Sequence, residues 1–210
     1  MTLPRRQIAS TSYFPVAAIA VILVLSALPQ HAAPQPAADA LVFALDPAQS
    51  KVHWTLGTTL HTVHGTFALK KGALQLDPST GKVSGEIVAD ATSGKSDNDS
   101  RDKKMHKDVL ESARFTDIVF RPHRIEGKVA PQGESAVQLH GVFLLHGAEH
   151  AFTVPVHANL AADHWSATAN FNIPFIDWGL KNPSNWLSKV DHEVTVELDL
   201  KGTFQNPASR

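Results

Sequence analysis

Histidine is the residue type whose number and spacing first suggest chemistry in this sequence. The chain contains 12 histidines among 210 residues and no cysteine. Neutral imidazole is a common ligand of zinc and copper. His146, Glu149 and His150 follow one another within a segment that resembles a tight hairpin, where His146 and His150 could lie opposite each other. A histidine-based metal-binding protein is therefore the alternative hypothesis for this chain, and these three residues are its best site.

The motifs of common catalytic centres are absent from the sequence. It contains no G-x-S-x-G elbow, no H-E-x-x-H pair and no phosphate-binding Walker loop. Asp97, Asp99 and Asp102 begin like a calcium loop, but Asp102 stands where that loop needs glycine and Asp108 where it needs glutamate. We therefore predict that the protein is not an enzyme, and that it has no catalytic residues, no metal ligands and no cofactor.

The first forty residues have the layout of an export signal. Arg5 and Arg6 precede an apolar run of thirteen residues, Val16 to Leu28, which is shorter than the roughly 20 residues that span a bilayer. Small residues and prolines follow, and Ala38–Ala40 offers a cleavage site. We predict that residues 1–40 are a signal peptide and disordered linker, that 41–205 form the mature domain, and that the protein is periplasmic or secreted.

From Leu41 onward, apolar and polar residues alternate with a period of two, which is typical of strands with one buried face. The last strand is the clearest, because Val194, Val196, Leu198 and Leu200 alternate with polar residues. Three histidines fall on polar phases and are expected to face solvent: His53, His140 and His157. The only helical spacing lies between Ser100 and Ser112, with Ser100 as its expected cap.

Regularly spaced antiparallel strands predict a sandwich or a barrel, and about eight strands can close around a lumen that holds one small ligand. Small residues occupy the apolar phase at several positions, which is compatible with a cavity and also with tight packing: Gly85, Ala89, Ala91, Gly141, Ala158, Ala167 and Ala169. We predict an all-β fold of about eight antiparallel strands with one short helix, and the strand pattern leaves both a sandwich and a barrel open.

A set of short motifs follows in a fixed order along the chain: Asp46–Val52, His64–Phe67, Ser93–Gly94, Arg101–Asp102, Met105–Leu110, Phe115 with Ile118–Phe120, Leu145–Gly147 and Phe175–Gly179. This ordered set resembles the YceI-like family of periplasmic polyisoprenoid-binding proteins, and the resemblance covers about Leu41 to Gly202. It implies that the strands form a single antiparallel lipocalin-like β-barrel, with a hydrophobic lumen that binds a polyisoprenoid, an isoprenoid quinone or a fatty acid derivative. Thr116 and the Ala148–His150 segment depart from the family's usual residues, and the second departure leaves the role of that loop in doubt.

The candidate ligand-binding residues are the aromatic residues on the inward phase, a charged residue that matches the family, and a loop tryptophan. They are Trp54, Phe67, Arg101, Phe120, Phe143, Phe152, Phe171 and Trp178. Each aromatic side chain could equally be plain core. Arg101 could face a headgroup at the barrel mouth, or form a structural salt bridge or cap with Asp102. Trp178 and Trp186 flank Pro183 and could cover the lumen or plug its end.

The expected function is to hold a long amphiphilic lipid in the lumen for storage, transport or protection. The partner is then a polyisoprenoid or other long-chain lipid. A formal net charge of −1 gives no electrostatic footprint for nucleic acid, so none is expected as a partner. Transient contact with a membrane and a homodimer are both compatible with the sequence. An enzyme that acts on the lipid inside the barrel is a further alternative.

Overall fold

The computed structural model of the protein describes residues 40–184 and 188–205. They form nine strands, one α-helix and one π-helical turn. The strands are β1 (Leu41–Leu45), β2 (Lys51–Gly57), β3 (Thr62–Asp77), β4 (Lys82–Lys95), β5 (Asp117–Glu126), β6 (Gly133–Leu145), β7 (Ala148–Leu160), β8 (His164–Ile173) and β9 (Val194–Gln205). Helix α1 (Asp99–Lys104) leads into the π-helical turn Met105–Val109. Residues 1–39 of the predicted signal peptide and linker (residues 1–40), and Trp186, lie outside the described residues.

The strands close into one antiparallel barrel with eight strand positions. Neighbouring strands pair in the order β3, β2, β9, β8, β7, β6, β5 and β4, and pairing of β3 with β4 closes the ring. Strand β1 pairs with β3 and β9, as β2 does, so β1 and β2 share one position. The turn between them is held by Asp46, whose Oδ1 accepts the Ala48 N–H at 3.0 Å. The predicted all-β barrel with one short helix is confirmed.

The alternating pattern of the sequence becomes the inner and outer faces of the barrel. In β8, the buried residues Trp165, Ala167, Ala169, Phe171 and Ile173 alternate with residues that are exposed or half-buried. Such alternation is what a strand with one face toward a lumen requires. Within the described residues, no helix is long and apolar enough to cross a membrane.

Antiparallel connectivity sorts the connections onto the two ends of the barrel. At one end, which we call the α1 end, lie the segments 58–61, 96–116, 146–147, 174–184 and 188–193. The hairpin loops 78–81, 127–132 and 161–163 lie at the opposite end. The long connections, which could carry a site, are therefore gathered at the α1 end.

Aromatic packing closes the opposite end of the barrel. The Phe43 ring stacks on Phe204 at 5.5 Å and meets Trp165 edge-on at 6.1 Å. The Trp165 indole N–H donates to the backbone carbonyl of Thr203 at 3.1 Å and lies 3.3 Å from that of Ala44. Because Trp165 and Phe204 are buried in the apolar cluster at this end, we call these three residues the aromatic floor.

Candidate functional site: an apolar cavity in the barrel

The interior of the barrel contains a cavity of about 550 Å³. Its wall is made by inward-facing apolar side chains from β2 to β9, such as Leu69, Ile87, Leu139 and Val196. Ala167 and Leu200 line it close to the aromatic floor. The exposed residues His61, Ser100 and Lys104 border it at the α1 end, so the cavity meets solvent there.

Small side chains on three inward positions help to keep this space open. Ala89, Ala167 and Ala169 line the cavity, and the two on β8 are each 8% exposed. A well-packed core would fill these positions with larger side chains, because protein interiors have few voids larger than a water molecule. Of the two interpretations that the small residues allowed, the cavity is therefore correct at these three positions.

Seven of the eight predicted site residues line the cavity, and these are Trp54, Phe67, Arg101, Phe120, Phe143, Phe171 and Trp178. Phe143 lies at the centre of an aromatic cluster. Its ring centroid is 4.6 Å from that of Phe120 and 6.0 Å from those of Phe171 and Trp178. The inward phase of the strands thus brings together aromatic side chains that are far apart in sequence.

Phe152 is the predicted site residue that the structure places elsewhere. Its ring packs behind the wall, 5.6 Å from Phe143 and Phe171 and 5.7 Å from Trp178, and it borders a shallow depression on the outside of the barrel instead of the cavity. The physical reason is that Trp178, from the connection after β8, packs edge-on against Phe152 and itself forms the wall.

Two glycines set the position of aromatic side chains in the wall. A Cβ on Gly65 would lie 2.1 Å from Trp54 Cζ2 and 2.3 Å from the Lys95 carbonyl oxygen. A Cβ on Gly94 would lie 2.6 Å from Phe67 Cε1. The Trp54 and Phe67 rings, 6.4 Å apart, therefore pack over bare backbone, a close approach that only glycine permits.

The charged pair Arg101–Asp102 anchors α1 through one buried serine. Arg101 Nε donates to Ser96 Oγ at 2.7 Å and its Nη2 donates to the Ser96 carbonyl at 2.5 Å. The Ser96 hydroxyl donates to Asp102 Oδ1 at 2.5 Å, and Ser96 is only 3% exposed. The two charged side chains therefore do not bond each other directly. Arg101 has a structural role and also borders the cavity.

The N-cap of α1 is Asn98, whereas the helical spacing in the sequence suggested Ser100. The Asn98 side chain accepts the Arg101 N–H at 3.0 Å, and α1 begins at Asp99. An extended residue whose side chain reaches the third following N–H is an N-cap. Asn98 has this backbone, with φ −146° and ψ 105°, so the helix starts earlier than the Ser100 cap implied.

The π-helical turn after α1 contributes apolar side chains to the cavity. Met105, Val109 and Leu110 all line it. His106 holds the turn in place, because its Nε2–H donates to the Gly94 carbonyl at 2.8 Å and its Nδ1 accepts from the Ser112 hydroxyl at 2.9 Å. The helical spacing of the apolar residues was visible in the sequence, but their contact with the lumen was not predicted.

Among the described residues, His61 and Lys104 are the titratable residues at the cavity that were not predicted from the sequence. His61 comes from the short connection between β2 and β3, and Lys104 ends α1. Lys104 Nζ donates to the Pro183 carbonyl at 3.3 Å. Neither residue belongs to an alternating strand, so no periodic signal marks it.

The hairpin proposed as a metal site has a different geometry. His146 and Gly147 form a two-residue turn with φ of 53° and 79°, and His150 lies within β7 opposite Phe143. His146 Nε2 lies 3.4 Å from Glu111 Oε1, and Glu149 Oε1 lies 4.0 Å from Arg121 Nη1. The metal hypothesis required His146 and His150 to face each other, and in this geometry they do not.

The hairpin's second histidine packs against the cavity wall. The His150 ring stacks on Trp178, with centroids 4.3 Å apart and an interplanar angle of 3°. Burial lowers the pKa of His150 below its usual value. Among the described residues, no group of three or more histidine, aspartate or glutamate side chains is arranged to hold a metal ion, so the arrangement that the alternative hypothesis needed in this hairpin is not found there.

Comparison with solved structures shows the same fold. BcnA from Burkholderia cenocepacia is 18% identical, with 75% of this chain and 98% of that chain covered and a TM-score of 0.61. A polyisoprenoid binding domain from Saccharophagus degradans, implicated in plant cell wall breakdown, is 17% identical, with coverages of 77% and 97% and a TM-score of 0.62. The YCEI protein of Campylobacter jejuni is 13% identical, with coverages of 67% and 84% and a TM-score of 0.53.

The sequence itself assigns the family. None of the curated proteins matches the chain. The model of the YceI-like domain matches residues 43–202, which contain all of the strands that line the cavity except the last three residues of β9. This chain therefore belongs to the family of YceI-like domains.

Proposed function

We propose that this protein is an exported binding protein that holds a long amphiphilic lipid in the barrel, for storage, transport or protection. The lipid is a polyisoprenoid, an isoprenoid quinone or a fatty acid derivative. The observation that carries the proposal is the apolar cavity of about 550 Å³ with polar residues at the α1 end. An apolar pocket with a few polar groups suits a ligand with an apolar body and one polar end.

Burial of the lipid supplies the binding free energy. Each methylene group taken from water into the cavity contributes about 0.8 kcal/mol, while ordering of a flexible tail and loss of free motion oppose binding. No charged contact is required for affinity. The likeness to the Saccharophagus degradans polyisoprenoid binding domain supports this proposal through the shared fold.

The protein acts by binding, and no chemical change of the lipid is part of the proposal. The missing catalytic motifs support this assignment. Incubation of the loaded protein, followed by mass analysis of the extracted lipid, is expected to return a lipid of unchanged mass. A product of altered mass that forms in proportion to protein concentration would establish an enzyme instead.

Export rests on the predicted signal peptide. Expression of the full chain in a bacterial host is expected to yield a periplasmic or secreted product. Its intact mass should be that of a chain whose N-terminus lies near Leu41. A cytoplasmic product that retains Met1 would contradict export and leave lipid binding unaffected. Transient membrane contact and a homodimer stay predictions, tested by vesicle co-sedimentation and by light scattering.

Native mass spectrometry of protein purified without detergent tests the proposed function, together with mass analysis of the extracted lipid. One bound lipid per chain is the expected result. Ala169→Leu places a larger side chain inside the cavity and is expected to weaken lipid binding at least about tenfold, since it removes space for about three carbons. The control is Ala151→Leu on the exposed face of β7. Equal binding by both variants would place the lipid outside the barrel.

A further inference from the structure

We infer that the cavity is built for a single-chain amphiphile with an anionic headgroup and a tail of about 22 carbons, bound with its headgroup at the α1 end. This inference rests on the proposed function and narrows its ligand to one class. Three features carry it: the size of the cavity, the closed end of the barrel, and the charge of the side chains where the cavity meets solvent.

The volume of the cavity sets the length of the tail. A dry cavity of about 150 Å³ in a protein core takes up one benzene molecule, so a carbon atom needs about 25 Å³. At that density the cavity of about 550 Å³ holds about 22 carbons, which corresponds to about four isoprene units. A longer chain has no room inside and must leave part of its length in water.

The aromatic floor sets the direction in which the ligand lies. Phe43, Trp165 and Phe204 pack against one another at the opposite end of the barrel, and none of them lines the cavity. The polar groups at the α1 end are the ones that can replace water around a headgroup. The tail therefore points toward the floor and the headgroup stays at the α1 end.

The charge at the α1 end sets the headgroup chemistry. Among the described residues, the titratable side chains that line the cavity are His61, Arg101 and Lys104, and no carboxylate is among them. Ser96 fixes the Arg101 guanidinium through Nε and Nη2, and Arg101 Nη1 has no partner in the described part of the chain. Lys104 Nζ has a single contact, the Pro183 carbonyl at 3.3 Å. Both cations can donate to a phosphate or carboxylate.

The two acidic residues of α1 itself, Asp99 and Asp102, do not cancel this preference. Asp102 points to Ser96 and accepts a hydrogen bond from its hydroxyl. Asp99 is exposed in the first turn of α1 and does not line the cavity. Within the described part of the cavity lining, an anionic headgroup therefore meets two cations and no carboxylate.

The headgroup test compares geranylgeranyl phosphate, a saturated fatty acid of equal carbon number and the neutral alcohol geranylgeraniol, in competition on the purified mature chain by native mass spectrometry. Both anions are expected to bind at least about fivefold more tightly than the alcohol, and this preference should shrink at about 1 M salt, where charges are screened beyond about 3 Å. Comparison of the affinities for the two anions shows whether the site prefers a phosphate or a carboxylate headgroup.

Lys104→Gln tests the residue, and Lys103→Gln, an exposed lysine of the same helix outside the cavity lining, is the matched control. We expect Lys104→Gln to weaken anion binding about threefold, as loss of an exposed ion pair does, and to leave alcohol binding unchanged. Lys103→Gln should change neither. An alcohol that binds as tightly as the anions, or equal effects of both variants, would overturn the headgroup assignment.

The tail test compares farnesyl, geranylgeranyl and octaprenyl phosphate. Affinity should rise from farnesyl to geranylgeranyl phosphate, because each additional buried methylene adds at most about fourfold. It should then stay within about threefold for octaprenyl phosphate, because the extra isoprene units remain outside the cavity. A further rise of tenfold or more for octaprenyl would overturn the size limit. If no anion and no alcohol binds, the proposed function fails, and this inference fails with it.

Discussion

The stacked pair His150–Trp178 shows how one titratable residue is built into the wall region of the cavity. The two rings are parallel at 4.3 Å, and Trp178 itself lines the cavity. Burial lowers the pKa of His150 below the ordinary value, because water solvates imidazolium better than the protein does. Neutral histidine is therefore the form that suits the folded barrel.

The pH dependence of stability follows from that pKa. Between the lowered pKa of His150 in the folded protein and its unfolded value of about 6.5, the unfolded chain binds more protons than the folded one. The contribution of neutral His150 to stability is therefore fully present above about pH 6.5 and is lost as the pH falls below that value. His150→Phe keeps an aromatic ring on Trp178 and removes the titration. We expect its urea midpoint to fall less than that of the wild type between about pH 7.5 and about pH 5.5.

His157→Phe, at an exposed position of the same strand, is the control and should follow the wild type. Parallel pH curves for the wild type and His150→Phe would show that another group controls the acid limb.

At the scale of elements, α1 and the π-helical turn form one unit that is fastened at both ends. Ser96 holds Arg101 and Asp102 at its start, and His106 joins the turn to Gly94 and Ser112. The unit contributes polar groups to the opening of the cavity and apolar groups to its wall. Its position therefore decides the shape of the α1 end.

Ser96→Ala tests this fastening. The change leaves the buried ends of Arg101 and Asp102 without their shared partner, and an unsatisfied buried polar group costs about 1–3 kcal/mol. We expect a loss of unfolding free energy in that range and faster hydrogen exchange across Asp99–Val109. The control is Ser100→Ala, whose exposed hydroxyl has no hydrogen bond among the described residues. Unchanged exchange in Ser96→Ala would show that the unit is held by its apolar contacts alone.

Alternation in the sequence predicted the strands and most of the inward aromatic residues, because a period of two fixes which face each side chain takes. It left a sandwich and a barrel both open, and the family resemblance indicated the barrel. Alternation was also not sufficient where position depends on how connections meet. Phe152 has the correct phase but lies behind Trp178, which comes from a loop. Lys104 and His61 reach the cavity from connections and carry no periodic signal. Nor did alternation show that a turn of two residues, not five, sets the register of β7, so that His150 lies opposite Phe143 and not His146.

At the scale of the whole molecule, the first strand position is divided between two strands. Strand β1 fills the half nearest the aromatic floor, where it bonds β3 on one side and β9 on the other. Phe43, in its middle, belongs to that floor. The half of the barrel wall nearest the aromatic floor is thus complete only when these five residues are in place.

Removal of β1 tests its part in the closed barrel. A chain that begins at Asp46 is compared with one that begins at Ala40, so that only the strand and its first neighbour differ. We expect the shorter chain to lose about 3 kcal/mol or more, since Leu41, Phe43 and Leu45 leave the apolar cluster, and to aggregate through its two freed edges. Equal urea midpoints and a monomeric shorter chain would contradict this.

The aromatic floor also limits the kind of traffic that the barrel can support. A tube open at both ends can accept cargo from a donor on one side while it delivers to an acceptor on the other. Because Phe43, Trp165 and Phe204 close the opposite end of this barrel, a bound lipid would both enter and leave at the α1 end. Its tail would enter first and its headgroup would leave first. Donor and acceptor must then be visited in turn, so any transfer by this protein is that of a shuttle and not of a bridge.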